Sequence, residues 1–232
     1  MTVSRHPIEL DWLGYASIRL HSETGVTVYI DPGRYGVLDD ISPRDGDLIL
    51  VSHDDHYDPD GIERVAHEDA IVVAHEAIDA SEIDRVERQP ESLPFEIERV
   101  HADESFVLGP LDLFTTPAYN LPDGPHTRED GTPYHPEGTG CGFGITLDGV
   151  TVFWPGDTDA LTALESLDVD VFCPPIGGGP TMDRHEAADL ARAIEPELVV
   201  PVHYNTFEMI ETDERAFVYD VASSSIPVAL DA

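Results

Sequence analysis

The chain has 232 residues, 41% of them hydrophobic and 25% charged, which is enough for a packed core and excludes a disordered chain. Its 47 acidic residues outnumber 12 basic ones, all arginine, for a formal net charge of −35. That balance argues against nucleic acid or an anionic membrane as partner, since both recruit clustered Lys and Arg, and self-repulsion on this scale calls for screening by salt.

The first third reads as strands. "PIELDWLG", "YASIRLHS" and "VTVYID" alternate apolar and polar residues and are punctuated by Gly14, Gly25 and the "DPG" that begins at Asp31. "DLILVS" is more continuously apolar, as suits a strand buried on both faces. Behind it "DPDGIERVAH" starts a helix, with Asp58 as N-cap and Pro59 at the first helical position. Short strands follow ("AIVVAH", "FEIERV", "SFVLG", "LDLFTT"), with a short polar helix expected around Ser81 to Arg88. The segment from Pro117 to Gly140 is rich in Pro, Gly, His and Asp and too long for a simple connection, which marks a functional loop. Then come a hairpin, "CGFGITL" and "VTVFWPG" about a "DG" turn, and a helix near Ala160 to Leu167. Strand "VDVFCPP", helix "DRHEAADLARAIEP", strand "LVVPVH", helix "DERAFVYDVAS" and a last strand "PVAL" complete the chain. Strands dominate early and strand–helix alternation late, which predicts two sheets with helices outside them in a single α/β domain over residues 1–232.

Only two cysteines are present, Cys141 and Cys173, read as small buried hydrophobes and not as a disulfide framework. The opening "MTVSRHPIEL" has no signal-peptide stretch and no apolar run approaches membrane length, so a cytoplasmic location is expected.

Polar residues gather at four strand ends. The six residues from His53 to Asp58 hold two histidines and three aspartates. The long loop carries Asn120, His126 and His135; "WPGDTDA" places Asp157 and Asp159 after a strand; "VVPVHYNTF" ends a strand at His203. Imidazoles and carboxylates converging from several strand ends are what a divalent metal requires. "PIGGGPTMDRHEA" offers either an anion-binding run of amides at a helix start or a tight turn followed by an Asp183–Glu186 capping box, and the turn is favoured.

The order of these motifs resembles the metallo-β-lactamase superfamily, specifically its ascorbate-phosphate-lactonase-like branch. The likeness runs through "DWLGYASIRL", "YIDPG", the histidine loop, "TPAYN", "YHPEGTGCGFGITLDG", "PGDTDAL", "PPIGGGPTM" and "PVHYNTF". It implies a four-layer αββα sandwich with a metal site at one edge. Asp157 matches the family's bridging aspartate and His203 its final histidine. Asn120 stands where many members have a ligand histidine, and His135 fits the position that replaces it. The His-x-His-x-Asp-His loop is altered. One register enlists His53, Asp55 and His56; another, anchored on "DHYD", enlists Asp54, His56 and Asp58. The first is preferred because Asp58 has a capping task. The metal ligands so implied are His53, Asp55, His56, His135, Asp157 and His203, holding one or two ions, zinc with manganese or iron as alternatives. Asp55 and Asp157 are the catalytic candidates. Asn120, Tyr204, Asn205, Gly177 and Gly178 are the candidates for substrate contact. Asp31, at the end of "YID", is expected to accept a bond from a ligand histidine and fix its tautomer.

The expected activity is metal-dependent hydrolysis of a small ester, lactone or phosphorylated metabolite. The alternative is a non-catalytic member of the fold that binds a ligand or partner. Oligomers are compatible with either. The composition resembles that of haloarchaeal cytoplasmic proteins.

Overall fold

A computed structural model describes residues 2–222 and 224–230. They form two compact units, Met1–His101 and Ala102–Ala232, each built on one sheet.

The first unit has seven strands paired in chain order: β1 (Thr2–Arg5), β2 (Ile8–Gly14), β3 (Ser17–Ser22), β4 (Thr27–Ile30), β5 (Gly46–Val51), β6 (Ala66–His75) and β7 (Glu96–Val100). β1 to β4 run antiparallel, and pairing from β4 to β7 is parallel. β5 lies inside the parallel part, and the "LILV" side chains are buried, as their continuous apolar run requires. The crossover from β5 to β6 is α1 (Pro59–Val65). Its N-cap is Asp58, whose carboxylate accepts from the amides of Asp60 and Gly61, and Pro59 opens the helix where no amide is needed. Tyr29, Ile49, Val51, Tyr57, Ile62, Val72 and Ala74 form the core on this side.

The helix expected around Ser81–Arg88 is absent, replaced by 3₁₀ turns at Ala80–Glu82 and Pro90–Ser92. Pro90 keeps Gln89 extended (φ −66°, ψ 150°), and Arg85 is drawn away to three carbonyls of the histidine loop. β1 was not expected, because its four residues are half-exposed and carry no apolar pattern.

The second unit has six strands in the order β13-β12-β11-β10-β9-β8. β8 (Ser105–Leu108), β9 (Leu111–Pro117), β10 (Cys141–Leu147) and β11 (Val150–Trp154) are antiparallel, while β12 (Val171–Phe172) and β13 (Leu198–Val199) add in parallel. Asp148 and Gly149, both at positive φ, make the hairpin turn between β10 and β11. α2 (Arg184–Ile194) begins with a full capping box of Asp183 and Glu186, and α3 (Glu214–Ala222) follows. The helix expected at Ala160–Leu167 is a 3₁₀ turn at Thr162–Ser166. Three expected strands are shorter than their apolar runs, the first being "VDVFCPP", which pairs at Val171–Phe172. "LVVPVH" pairs fully at Leu198–Val199, beyond which Pro201 offers no amide, and "PVAL" makes a single bridge from Val228 to Val199. Both cysteines are buried and unbridged, and burial pushes the Cys173 thiol well above the usual range.

Gly144 in β10 lies opposite Phe114 in β9, and the Phe114 ring covers it so closely that an added Cβ would fall 2.0 Å from the ring. Phe114 in turn stacks on Phe153, and Phe153 on Phe172. Gly144→Ala is therefore expected to destabilise the protein by about 1–3 kcal/mol through overpacking. Chemical denaturation at constant high salt checks it, and a midpoint equal to wild type would refute this account of the glycine.

Candidate metal centre

In the first unit, Asp31 follows β4 in a left-handed conformation (φ 46°) and is buried. Its Oδ1 accepts the Ser52 amide at 2.7 Å, and its Oδ2 accepts the Ser52 hydroxyl at 2.7 Å and His56 Nδ1 at 2.9 Å. A carboxylate only accepts, so His56 carries its proton on Nδ1. The Ser52 hydroxyl has given its own proton to Asp31, so its oxygen accepts from His53 Nδ1 at 3.0 Å. One carboxylate thus assigns both tautomers and leaves Nε2 of each ring as the nitrogen able to accept a cation. The two rings lie edge to face with centroids 4.1 Å apart.

Between them the chain makes a 3₁₀ turn at Asp54–His56, with Asp54 and Asp55 exposed and His53 and His56 buried. His53, Asp54 and Asp55 can bring one ligand atom each within 4.8 Å of the others. Asp58 caps α1 with Oδ1 and accepts the Arg34 amide with Oδ2, so both of its oxygens are committed. Two arginines hold the turn. Arg85 donates to the carbonyls of Tyr57, Asp54 and Asp55 at 2.8, 2.8 and 3.0 Å, and Arg34 Nε donates to that of Asp55 at 2.8 Å. Neither arginine announces this in the sequence, because each lies at least 20 residues from the carbonyls it binds.

In the second unit, Asp157 sits behind β11 after a turn at Gly156 (φ 75°), where a Cβ would meet the Cys141 carbonyl at 2.7 Å. Its Oδ2 faces His135 Nε2 at 3.5 Å and His203 Nε2 at 3.4 Å, and all three side chains are buried. His203 is held at φ 55°, an uncommon backbone for a bulky residue. Gly177 leaves no space for a Cβ, which would lie 2.6 Å from the His203 carbonyl, so the glycine run packs against the segment that presents this histidine.

The long loop is pinned at Asn120. Its amide nitrogen donates to Asp159 and to the Pro180 carbonyl, and its oxygen accepts the His135 backbone amide at 2.8 Å. Asn120, expected at the substrate, is instead buried and spends its carboxamide on placing His135. His135 Nδ1 bonds the Pro180 carbonyl at 3.1 Å and so carries the proton. In the neutral ring, Nε2 then turns a lone pair toward an anionic oxygen 3.5 Å away, an arrangement that suits a cation between the two. Ligands of one tetrahedral ion at about 2.0–2.1 Å stand about 3.3 Å apart, close to both separations around Asp157. The donor set fits a divalent metal.

His126 differs. Its Nδ1 bonds the Gly179 carbonyl at 2.9 Å and its Nε2 the Glu186 carboxylate at 2.7 Å, so both nitrogens donate and the ring is an imidazolium. Burial pulls its pKa down, but the bonds to Glu186 and Gly179 outweigh it and the net shift is upward. Tyr204 is buried. Asn205 is exposed, accepting the Thr212 amide and donating to Glu214. Gly178 bonds Met182 within the turn that leads to the capping box.

These features agree with the comparisons. Residues 9–203 match the model of the β-lactamase superfamily domain, and the chain belongs to that superfamily. Within it, the chain belongs with the UPF0173 metal-dependent hydrolases. It is 31% identical over 217 residues to the one from Methanoregula boonei, covering 90% of this chain and 88% of that one. It is also 31% identical over 220 residues to the one from Thermococcus kodakarensis, covering 90% of each. Among solved structures, the metallo hydrolase Igni18 of Ignicoccus hospitalis superposes with TM-score 0.68 at 23% identity, covering 97% of this chain and 94% of that one. The metallo-β-lactamase fold protein YhfI of Bacillus subtilis superposes with TM-score 0.67 at 14% identity, covering 94% and 88%. The fold is the α/β fold of the metallo-β-lactamases, as the motif order implies. Among the described residues no helix is long and apolar enough to cross a membrane.

Two outcomes follow. Asp31→Asn sets an amide against His56 Nδ1 and is expected to weaken metal binding about 10–100-fold, measured by competition with a chromophoric chelator. Unchanged affinity in a folded variant would show that Asp31 does not orient the ring. For His126, a raised folded pKa means that its pair with Glu186 contributes fully below the unfolded value of about 6.5 and is lost as pH rises through the higher folded value. The denaturation midpoint should fall across that window in wild type and fall less in His126→Gln; parallel curves would contradict it.

Proposed function

We propose that this protein is a metal-dependent hydrolase of a small ester, lactone or phosphorylated metabolite. The observation that carries the reading is the single Asp157 oxygen set between two buried ring nitrogens at 3.4 and 3.5 Å, one of them with its proton fixed on the far side of the ring. His53, His56, His135, Asp157 and His203 are proposed to hold the metal, with Asp55 at its edge and zinc as the first candidate ahead of manganese or iron. When bound, a divalent ion lowers the pKa of its water to roughly 7 and polarises a carbonyl or phosphoryl oxygen.

The chain's own groups do the rest. Asp31, directly for His56 and through Ser52 for His53, keeps each proton on Nδ1, and the Pro180 carbonyl does the same for His135. Asp157 supplies negative charge in a buried setting. Asp55, exposed beside His53, is positioned to take a proton and pass it to solvent. The commitment of Asp58 to α1 leaves one fewer carboxylate for a second ion, which favours opening an ester or lactone over cleaving a phosphodiester. That preference is compatible with the ascorbate-phosphate-lactonase-like branch. A net charge of −35 supports a protein that works in the cytoplasm of a salt-accumulating cell, on a small molecule and not on nucleic acid or a membrane.

Metal content per chain decides the matter, measured by plasma mass spectrometry on untagged protein purified in high salt without chelators. One or two equivalents are expected, lost in a folded Asp157→Ala/His203→Ala variant. Less than about a tenth of an equivalent after zinc or manganese is supplied would sink the hydrolase and leave a binding protein on this fold.

A further inference from the structure

The turn behind β4 holds four successive residues at positive φ: Gly33 (112°), Arg34 (62°), Tyr35 (47°) and Gly36 (75°). Glycine adopts this region freely, but arginine and tyrosine do not, and two in succession persist only where the surroundings impose them. The imposing group is Asp58, which accepts the Arg34 amide at 2.8 Å and closes on Gly33 so tightly that a Cβ there would lie 2.6 Å from its Oδ2.

The strained turn presents a cation on an aromatic platform. The Arg34 guanidinium lies 4.7 Å over the Tyr35 ring, and Tyr35 is 51% exposed. Tyr35 meets Tyr15 edge to face at 4.7 Å, and Tyr15 meets His56 in the same way at 5.0 Å. A continuous aromatic wall therefore runs from a proposed metal ligand to a half-buried arginine. Arg34 anchors its Nε on the Asp55 carbonyl, and among the described residues no acceptor lies on its two terminal amino groups. Arg85 donates to that same carbonyl, so two guanidinium groups converge on one oxygen. Burial and then the Arg34 charge lower the Arg85 pKa, against the opposing pull of Asp55, Asp58 and Asp54.

We propose that Arg34, with Tyr35 as its platform, determines specificity by binding an oxyanion group of the substrate, a carboxylate or a phosphate, beside the metal loop. The guanidinium fork suits a two-point contact with such a group, and the Tyr35 ring covers a flat or apolar part next to it. This names the substrate class of the hydrolase proposed above and rests on that reading.

The test uses the full, metal-loaded chain at one fixed high salt concentration. The probes are 4-nitrophenyl acetate, a neutral ester, and mono-4-nitrophenyl glutarate, its anionic counterpart. Arg34→Asn is the main variant, because asparagine tolerates the left-handed backbone; Arg34→Lys keeps the charge and loses the fork. In Arg34→Asn, kcat/KM for the anionic ester is expected to fall about tenfold and that for the neutral ester to change less than about twofold, with Arg34→Lys between. Equal losses on both esters, or none on either, overturn the proposal. Calorimetric titration with phenylphosphonate and with benzoate reads the same site without turnover. Wild type is expected to bind at least one, roughly fivefold more tightly than Arg34→Asn, and the better of the two identifies the head group. Equal affinity for wild type and variant, or no binding to wild type, overturns it equally. Failure of the hydrolase reading shows separately, as absence of turnover of both esters while the titration still separates the variants. If Arg34→Asn does not fold, Arg34→Lys carries both comparisons.

Discussion

The arrangement of the first unit's histidines depends on the Asp31 carboxylate. It is buried at the end of β4, where an unpaired charge would be prohibitive, and it is satisfied by three donors that all belong to the histidine loop or its root. Because a carboxylate can only accept, each donor is forced to point its hydrogen inward. The constraint passes through the Ser52 hydroxyl to His53, a residue Asp31 does not itself bond. Two imidazoles are thus preset with Nε2 as the acceptor, so a cation they were to bind need not supply the energy of ordering them. This is the economy of an orienting shell: one costly buried charge is shared by three polar groups that would each need a partner anyway.

The second unit solves the same problem with backbone. Pro180 contributes only a carbonyl, and that carbonyl fixes the His135 proton as firmly as Asp31 fixes that of His56. Asn120 ties the loop by three bonds to Asp159, Pro180 and His135, so a segment with no regular structure is held by side-chain amides instead of a ladder. His126, similar in sequence setting to His135, is spent as a cation between Glu186 and Gly179. The difference between a ligand and a strut is whether one ring nitrogen still carries a lone pair, which residue type alone does not encode.

That distinction marks where the sequence stops being legible. Strands with alternating or continuous apolar runs were readable because burial dictates their pattern, and the caps at Asp58 and Asp183 were readable because the amides they satisfy are two and three residues away. The tautomer role of Asp31 was readable as a possibility of position, whereas the route through Ser52 was not. β1 was invisible for want of any pattern, and the helix at Ser81–Arg88 was overruled by Pro90 and by carbonyls distant along the chain. Arg34 and Arg85 carry no sequence signal at all, since their partners are backbone oxygens that exist in any sequence.

Those backbone oxygens also explain how the loop can depart from the family spacing and still present two buried histidines. Departing from His-x-His puts His53 and His56 three apart, which a 3₁₀ turn brings to one side as an extended strand would not. Within the turn the Asp54 carbonyl accepts the Tyr57 amide, and the Asp58 carboxylate, which can only accept, offers nothing to the carbonyls of Asp54, Asp55 and Tyr57. Cationic donors from elsewhere in the unit bond those oxygens and set positive charge beside three aspartates. Arg85 does this with both terminal nitrogens, and Arg34 joins it at Asp55. In an acidic protein with no lysine, the altered loop and its arginines form one unit, each tolerable because the other is present.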